Sequence, residues 1–252
     1  MSSVENQWCR RYVPAQAPTA RLVCLPHAGG SAPYFRPVSL ALGKEFDVVA
    51  VQYPGRQDRR SEPPITEMSV LADRVAEILA AEDDLPLTLF GHSLGAILAF
   101  EVARRLEAGG RPPARIVASG RRGPSTHRDE ALHRLDDAGL IAELRAGEGT
   151  VSVLLEDEEL MRAALPALRA DYQVAELYGC DPSVTVSSPI TVLTGDNDPK
   201  TTLDEARTWE AHTTGGFEFE VYPGGHFFLS QHIAPIIALL RGHLSGRSAP
   251  VQ

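Results

Sequence analysis

Cysteine is scarce in this 252-residue chain, and its three copies, Cys9, Cys24 and Cys180, are odd in number and far apart. That spacing fits neither a disulfide framework nor a set of metal ligands, so free thiols are expected, with Cys24 buried in a strand. Basic charge is also in short supply. Asp and Glu outnumber Lys and Arg 33 to 24, a net charge of -9, which repels phosphate backbones and anionic lipid surfaces and argues against a nucleic-acid partner. Long apolar runs are missing too. The opening MSSVENQWCRRY has no apolar signal core, and the stretch from Leu94 to Phe100 is cut at Glu101, well short of the ~20 residues a membrane span needs. A cytoplasmic protein without membrane association is expected. Neither of the common phosphate-cradling signatures, G-x-x-x-x-G-K-[ST] and G-x-G-x-x-G, occurs, and there is no internal repeat or low-complexity tract.

What is present is an ordinary globular composition, 43% hydrophobic and 23% charged, arranged as short β-branched runs alternating with helical stretches. Arg21 to Leu25, Phe46 to Gln52, Leu87 to Phe90, Arg115 to Ser119, Ile190 to Thr194 and Phe217 to Tyr222 read as strands, with Trp8 to Val13 as an edge strand. Met68, Leu71, Val75, Ile78 and Leu79 recur at helical spacing behind Thr66, a candidate cap; Leu94 to Leu106 and a stretch through Ile233, Ile236, Ile237 and Leu240 read as further helices. This rhythm implies an α/β domain spanning 1–252, a mainly parallel sheet with helices on both faces.

The rhythm breaks once. About 70 residues separate Ser119 from Ile190, where a crossover needs one helix and short loops. Within that interval Leu140, Ile141 and Leu144, then Met161, Leu165, Leu168 and Tyr172, fall at spacings of three and four, so a helical insertion over approximately 121–187 is expected, with Pro166 starting or kinking a helix. Long insertions in compact domains are usually functional, and a lid over a site is the expected role.

Gly91-His92-Ser93-Leu94-Gly95 stands between a strand and a helix, the context that a G-x-S-x-G nucleophile elbow requires. An ordinary tight turn would also match five residues, but not with that strand before it and that helix after it. In such an elbow the serine sits in a strained turn that leaves room only for glycine two residues to either side, and its hydroxyl lies at a helix N-terminus, where negative charge is favoured. Serine alone is a weak nucleophile, so a base and an orienting acid must follow in chain order. His226, directly after the last strand in Gly224-Gly225-His226-Phe227-Phe228, is the candidate base. Asp198, in Thr194-Gly195-Asp196-Asn197-Asp198-Pro199, is preferred as the acid over Asp196, which the turn at Gly195 aims away. The oxyanion of acyl transfer needs amide donors, assigned to Leu94 and Ala28, with Gly29 as the alternative to Ala28. No cofactor or metal is required by this set.

Taken together, Pro26-His27-Ala28-Gly29-Gly30-Ser31-Ala32, Tyr53-Pro54-Gly55-Arg56, Gly91 to Gly95, Ser119-Gly120-Arg121-Arg122, Arg169-Ala170-Asp171-Tyr172, Gly195 to Pro199 and Gly224 to Phe228 resemble a type II thioesterase, the stand-alone editing enzyme of polyketide and nonribosomal peptide biosynthesis. The resemblance runs from about residue 8 to about 244. It departs at Leu94, where many members have methionine. It implies an α/β-hydrolase fold with a helical lid, and hydrolysis of aberrant acyl groups from the phosphopantetheine arm of acyl or peptidyl carrier protein domains by Ser93, Asp198 and His226. With about 20 residues ahead of the first core strand, a free-standing protein is expected. The alternatives on the same fold are a general carboxylesterase or lipase and an acyltransferase, and outside catalysis a non-catalytic binding protein. Carrier proteins are typically acidic, so Arg56, Arg59, Arg60, Arg121 and Arg122 are candidates either for a docking patch or for ion pairs that anchor the lid.

Overall fold

The computed structural model describes residues 7–82, 85–146 and 158–246. Seven strands form one sheet: β1 (Cys9–Arg10), β2 (Arg21–Leu25), β3 (Asp47–Val51), β4 (Leu87–His92), β5 (Arg115–Ser119), β6 (Ile190–Gly195) and β7 (Phe217–Tyr222). Their order is β1-β3-β2-β4-β5-β6-β7. Edge strand β1 runs antiparallel to β3, and every other neighbour pair is parallel. The mainly parallel sheet read from the β-branched runs is therefore present, although the edge strand keeps only two residues.

Two-residue periodicity divides each inner strand between two cores. Val23 and Leu25 of β2, Val49 and Val51 of β3, and Val192 of β6 face one side, where they meet helices α2 (Met68–Ala80) and α3 (Leu94–Ala108). Leu22, Cys24, Val48, Ala50, Val117 and Leu193 face the other, under α1 (Arg36–Leu42), the short α7 (Phe228–Gln231) and α8 (Ile233–Leu244). Burial of each such Val or Leu contributes roughly 1.5–3 kcal/mol. Cys24 has no exposed surface. Strand β4 and α3 are buried on nearly all sides, and the one acid on the inner face of α3, Glu101, is held by Arg104, Arg105 and Tyr178.

Helix α2 begins at Met68 with Glu67 at its N-cap and no side-chain cap, so Thr66 does not do the capping its position suggested. A cap one residue too early cannot reach the free amides of the first turn. Between β5 and β6 lie α4 (Asp137–Ala146) and α5 (Glu158–Glu176), and Leu140, Leu144, Met161, Leu165 and Leu168 join them in a small core of their own. Pro166 sits inside α5 and not at its start. Helix α6 (Leu203–Arg207) follows β6 and is closed by a reciprocal Thr202–Glu205 capping box. Among the described residues no helix is long and apolar enough to cross a membrane.

Candidate active site

All six parallel strands end at the same edge of the sheet, and in open α/β sheets the crevice outside those carboxyl ends is where ligands bind. Ser93 is at its centre. Strand β4 runs through His92, α3 starts at Leu94, and Ser93 between them has φ 54° and ψ −113°, a conformation that costs of order 1–3 kcal/mol for a residue with a side chain. Crowding explains both flanking glycines. A Cβ on Gly91 would stand 1.9 Å from the Gly95 carbonyl oxygen, and one on Gly95 would stand 1.9 Å from that of Leu25. The Ser93 amide donates to Ser119 O at 2.8 Å, which fixes the turn to the end of β5.

His226 is brought against His92, the residue before Ser93, by a splice of two loops. The Asp196 amide donates to Tyr222 O and the Asn197 amide to Gly224 O, at 2.9 and 3.0 Å, while Asp196 Oδ1 accepts the Gly224 amide at 2.9 Å. Gly195 has no room for a side chain, since its Cβ would meet the Gly224 and Gly225 carbonyls at 2.4 and 2.5 Å. Asp196 is thus spent on the loop and lies exposed. Asp198 points inward: its Oδ1 accepts the Lys200 amide, and its Oδ2 is 2.8 Å from His226 Nδ1. An ionised carboxylate only accepts, so Nδ1 carries the proton and Nε2 is left with its lone pair. The Asp198 side chain has no exposed surface and that of His226 is 13% exposed.

Beneath His226 lies a group of rings that sequence reasoning passed over. His92, next to Ser93, packs against the candidate base: its ring centroid is 5.1 Å from that of His226, and its Nδ1 is 3.0 Å from Ser119 Oγ. His27 packs against His92, Tyr34 and Phe227 at 4.6 to 5.8 Å. Burial, reinforced by His226, pushes the His27 imidazole down to about 3 and that of His92 well below its usual value. Both stay neutral near pH 7, so neither places a competing charge beside His226.

The loop after β2 is fastened on both sides of Ala28. Tyr53 Oη donates to Pro26 O at 3.1 Å, the Gly30 amide to His27 O at 2.9 Å, and the Ala32 amide to Gln52 Oε1 at 3.1 Å. The Gly29 amide donates to Asp171 at 2.7 Å. That commitment engages the amide of Gly29, the alternative candidate to Ala28. Leu94 is the first residue of α3, whose leading amides have no partner within the helix.

Four of the five arginines are engaged within the fold. Arg56 pairs with Asp171; Arg59 is 4% exposed, paired with Glu62 and stacked 4.2 Å over Trp8; Arg122 pairs with Glu130; and Arg121, buried enough to pull its guanidinium down to about 10, donates to Ala175 O at the end of α5. Only Arg60 of this set is exposed. Charges flanking tight turns at buried strand ends are drawn inward to partners, which a linear reading cannot see. Among the described residues no group of three or more potential metal ligands converges.

A family model described as a thioesterase domain matches residues 20–243. The chain is 52% identical over 227 residues to a probable cadicidin biosynthesis thioesterase of Streptomyces griseus, an alignment covering 90% of this chain and 63% of that protein. It is 46% identical to thioesterase PikA5 of Streptomyces venezuelae, covering 94% and 85%. Among solved structures, the type II thioesterase BorB from the borrelidin biosynthetic cluster superposes with a TM-score of 0.87 at 44% identity, covering 99% of this chain and all of that one. RedJ, from the prodiginine pathway of Streptomyces coelicolor, gives 0.84 at 37%, covering 91% and 88%. The sheet, the elbow and these matches agree: the chain belongs to the thioesterase family and has the α/β-hydrolase fold of its type II members.

Proposed function

We propose that the chain hydrolyses acyl thioesters on the phosphopantetheine arms of acyl or peptidyl carrier protein domains, removing aberrant or stalled acyl groups from a polyketide or nonribosomal peptide synthase. The observation that carries the reading is the 2.8 Å pairing of Asp198 with His226 beside the strained turn at Ser93. His226 Nε2 takes the proton of Ser93 Oγ as the oxygen attacks the thioester carbonyl. The oxyanion is received by the amides of Ala28 and Leu94. The C–S bond then breaks, and the departing sulfur, whose conjugate acid has a pKa of about 8.5, carries off the proton held on Nε2 as the free thiol, which restores His226 as a base. Water, deprotonated by the same Nε2, attacks the acyl-Ser93 carbonyl, and collapse of that intermediate returns the proton to Ser93 and frees the acid.

Nothing in these steps calls on a metal or an added cofactor, since the substrate brings its own phosphopantetheine. Helices α4 and α5, placed between β5 and β6, are proposed as the lid, within an insertion of approximately 121–187 in a single domain. Arg56, Arg59, Arg121 and Arg122 are engaged inside the fold, and of this set only Arg60 is exposed.

The test is a direct comparison of Ser93→Ala with the unaltered protein on an acyl-carrier substrate, on the same acyl group attached to a short pantetheine mimic, and on the matching oxygen ester. The expected result is hydrolysis that prefers the carrier substrate, releases free acid, and is absent from a folded Ser93→Ala. Faster cleavage of the oxygen ester would make the protein a carboxylesterase. Transfer of the acyl group to an amine or alcohol would make it an acyltransferase. Failure of Ser93 to react with a fluorophosphonate would leave only a binding role.

A further inference from the structure

Two short segments, Tyr53–Arg56 and Arg169–Tyr172, supply neither nucleophile, base nor acid, yet they meet across 115 positions of sequence. Asp171 Oδ2 accepts from the Arg56 Nη1 at 2.5 Å and from the Gly29 amide at 2.7 Å, and its Oδ1 accepts Arg56 Nη2 at 2.8 Å. Arg56 in turn donates from Nη1 to Gly30 O at 3.1 Å and from Nε to Pro54 O at 3.3 Å. The two side chains are only 4% and 9% exposed. Helix α5 also presses on the same spot through Leu168, whose Cδ1 lies 2.7 Å from where a Cβ of Gly29 would be, and Gly29 has φ +73°.

A buried ion pair is weak evidence for a role in stability, because an apolar pair of similar volume often does as well. This pair does something an apolar one cannot. Its carboxylate accepts the amide of the peptide that joins Ala28 to Gly29, and its guanidinium holds the Gly30 carbonyl, so the first and third peptide planes after Ala28 are both tied to the pair. We infer that Asp171 is a positioning residue that acts through Gly29 and Arg56 to hold the Ala28 amide in the direction in which the oxyanion forms. The inference rests on the reading of Ala28 as an oxyanion donor. It makes α5 part of the catalytic support at this point.

Interactions of this kind act on the transition state and not on the bound substrate. The test uses Asp171→Asn and the double variant Arg56→Met/Asp171→Leu, which replaces the pair by apolar side chains of similar size. Each is measured for kcat and KM on an acyl pantetheine mimic, for melting temperature, and for inhibition by an alkylboronic acid, which bonds to Ser93 Oγ and sets an oxygen where the oxyanion would be. In the double variant kcat is expected to fall by about tenfold or more and boronate affinity by a similar factor, with KM changed by less than a factor of about two in either direction, while Asp171→Asn, which keeps one oxygen for the Gly29 amide, loses less. A folded double variant with the kcat and boronate affinity of the unaltered protein overturns the inference, as does a change confined to KM. Loss of folding in both variants overturns it as well, because the pair would then serve stability. If instead Ser93→Ala retains turnover, the underlying assignment of the site fails. If Ser93→Ala is inactive while both clamp variants match the unaltered protein, only the role of Asp171 falls.

Discussion

Asp198 Oδ2 and His226 Nδ1 stand 2.8 Å apart, while Asp196, two residues before Asp198, spends its carboxylate on the amide of Gly224. Neutralising each acid therefore has a different outcome. Asp198→Asn is expected to lower kcat by about 10³–10⁴-fold, because an amide at that position lets the imidazole adopt the wrong tautomer. Asp196→Asn keeps an oxygen for Gly224 and should leave kcat within the same order of magnitude. Steady-state kinetics on one thioester checks both, and a reversed ranking would assign the acid to Asp196.

Glycine at the elbow is a steric requirement, and its neighbours define how severe. Gly91→Ala or Gly95→Ala would press a methyl carbon to 1.9 Å from a backbone oxygen, and either should cost more than about 4 kcal/mol or prevent folding. Gly110, at φ +79° with nothing within 4 Å of its Cβ position, is the control. Gly110→Ala should cost only about 1–2 kcal/mol, the strain of a left-handed alanine. Chemical denaturation of the three variants separates crowding from backbone strain.

The stability of the fold should carry a histidine signature at acid pH. His27 is held near 3 in the folded protein against 6.5 for a free imidazole, so between those values the unfolded chain binds the additional proton. Stability is then fully present above about pH 6.5 and is lost as pH falls toward about 3. Replacing the ring, His27→Asn, should flatten the pH dependence of the urea midpoint in that window relative to the unaltered protein. Parallel curves would show that His27 protonates without unfolding.

Arg59 tests the reading of its charge as structural. It stacks on Trp8, donates to Gln52 O at 2.7 Å and pairs with Glu62. Arg59→Ala should cost about 2 kcal/mol, a drop of roughly 4–8 °C in melting temperature, and should slow carrier-bound and mimic substrates alike. A selective loss on the carrier substrate alone, at unchanged melting temperature, would return Arg59 to a docking surface.

Much of this architecture is legible in the linear chain because short apolar runs such as Arg21 to Leu25 announce strands, and because glycine spacing around Ser93 reflects a constraint local to five residues. What the sequence does not disclose depends on long-range closure. The pairing of Arg56 with Asp171, the ring group of His27 and His92 under His226, and the inward turn of Arg59 each join segments tens of residues apart, and no periodicity carries that information. The two-residue length of β1 and the missing Thr66 cap are failures of boundaries, where propensity competes weakly with tertiary packing.

The burial of sulfur in this protein has a practical side. Thioester cleavage liberates one thiol per turnover, and only a thiolate reacts quickly with a disulfide chromogen. Cys24 has no exposed surface and its thiol is pushed far up by burial, Cys9 is buried with its thiol raised to about 11, and Cys180 is half-buried and raised as well. A colorimetric reagent kept in the cuvette at neutral pH would therefore react with the product thiol faster than with the buried cysteines of the catalyst, so each variant above can be followed continuously in a single optical trace.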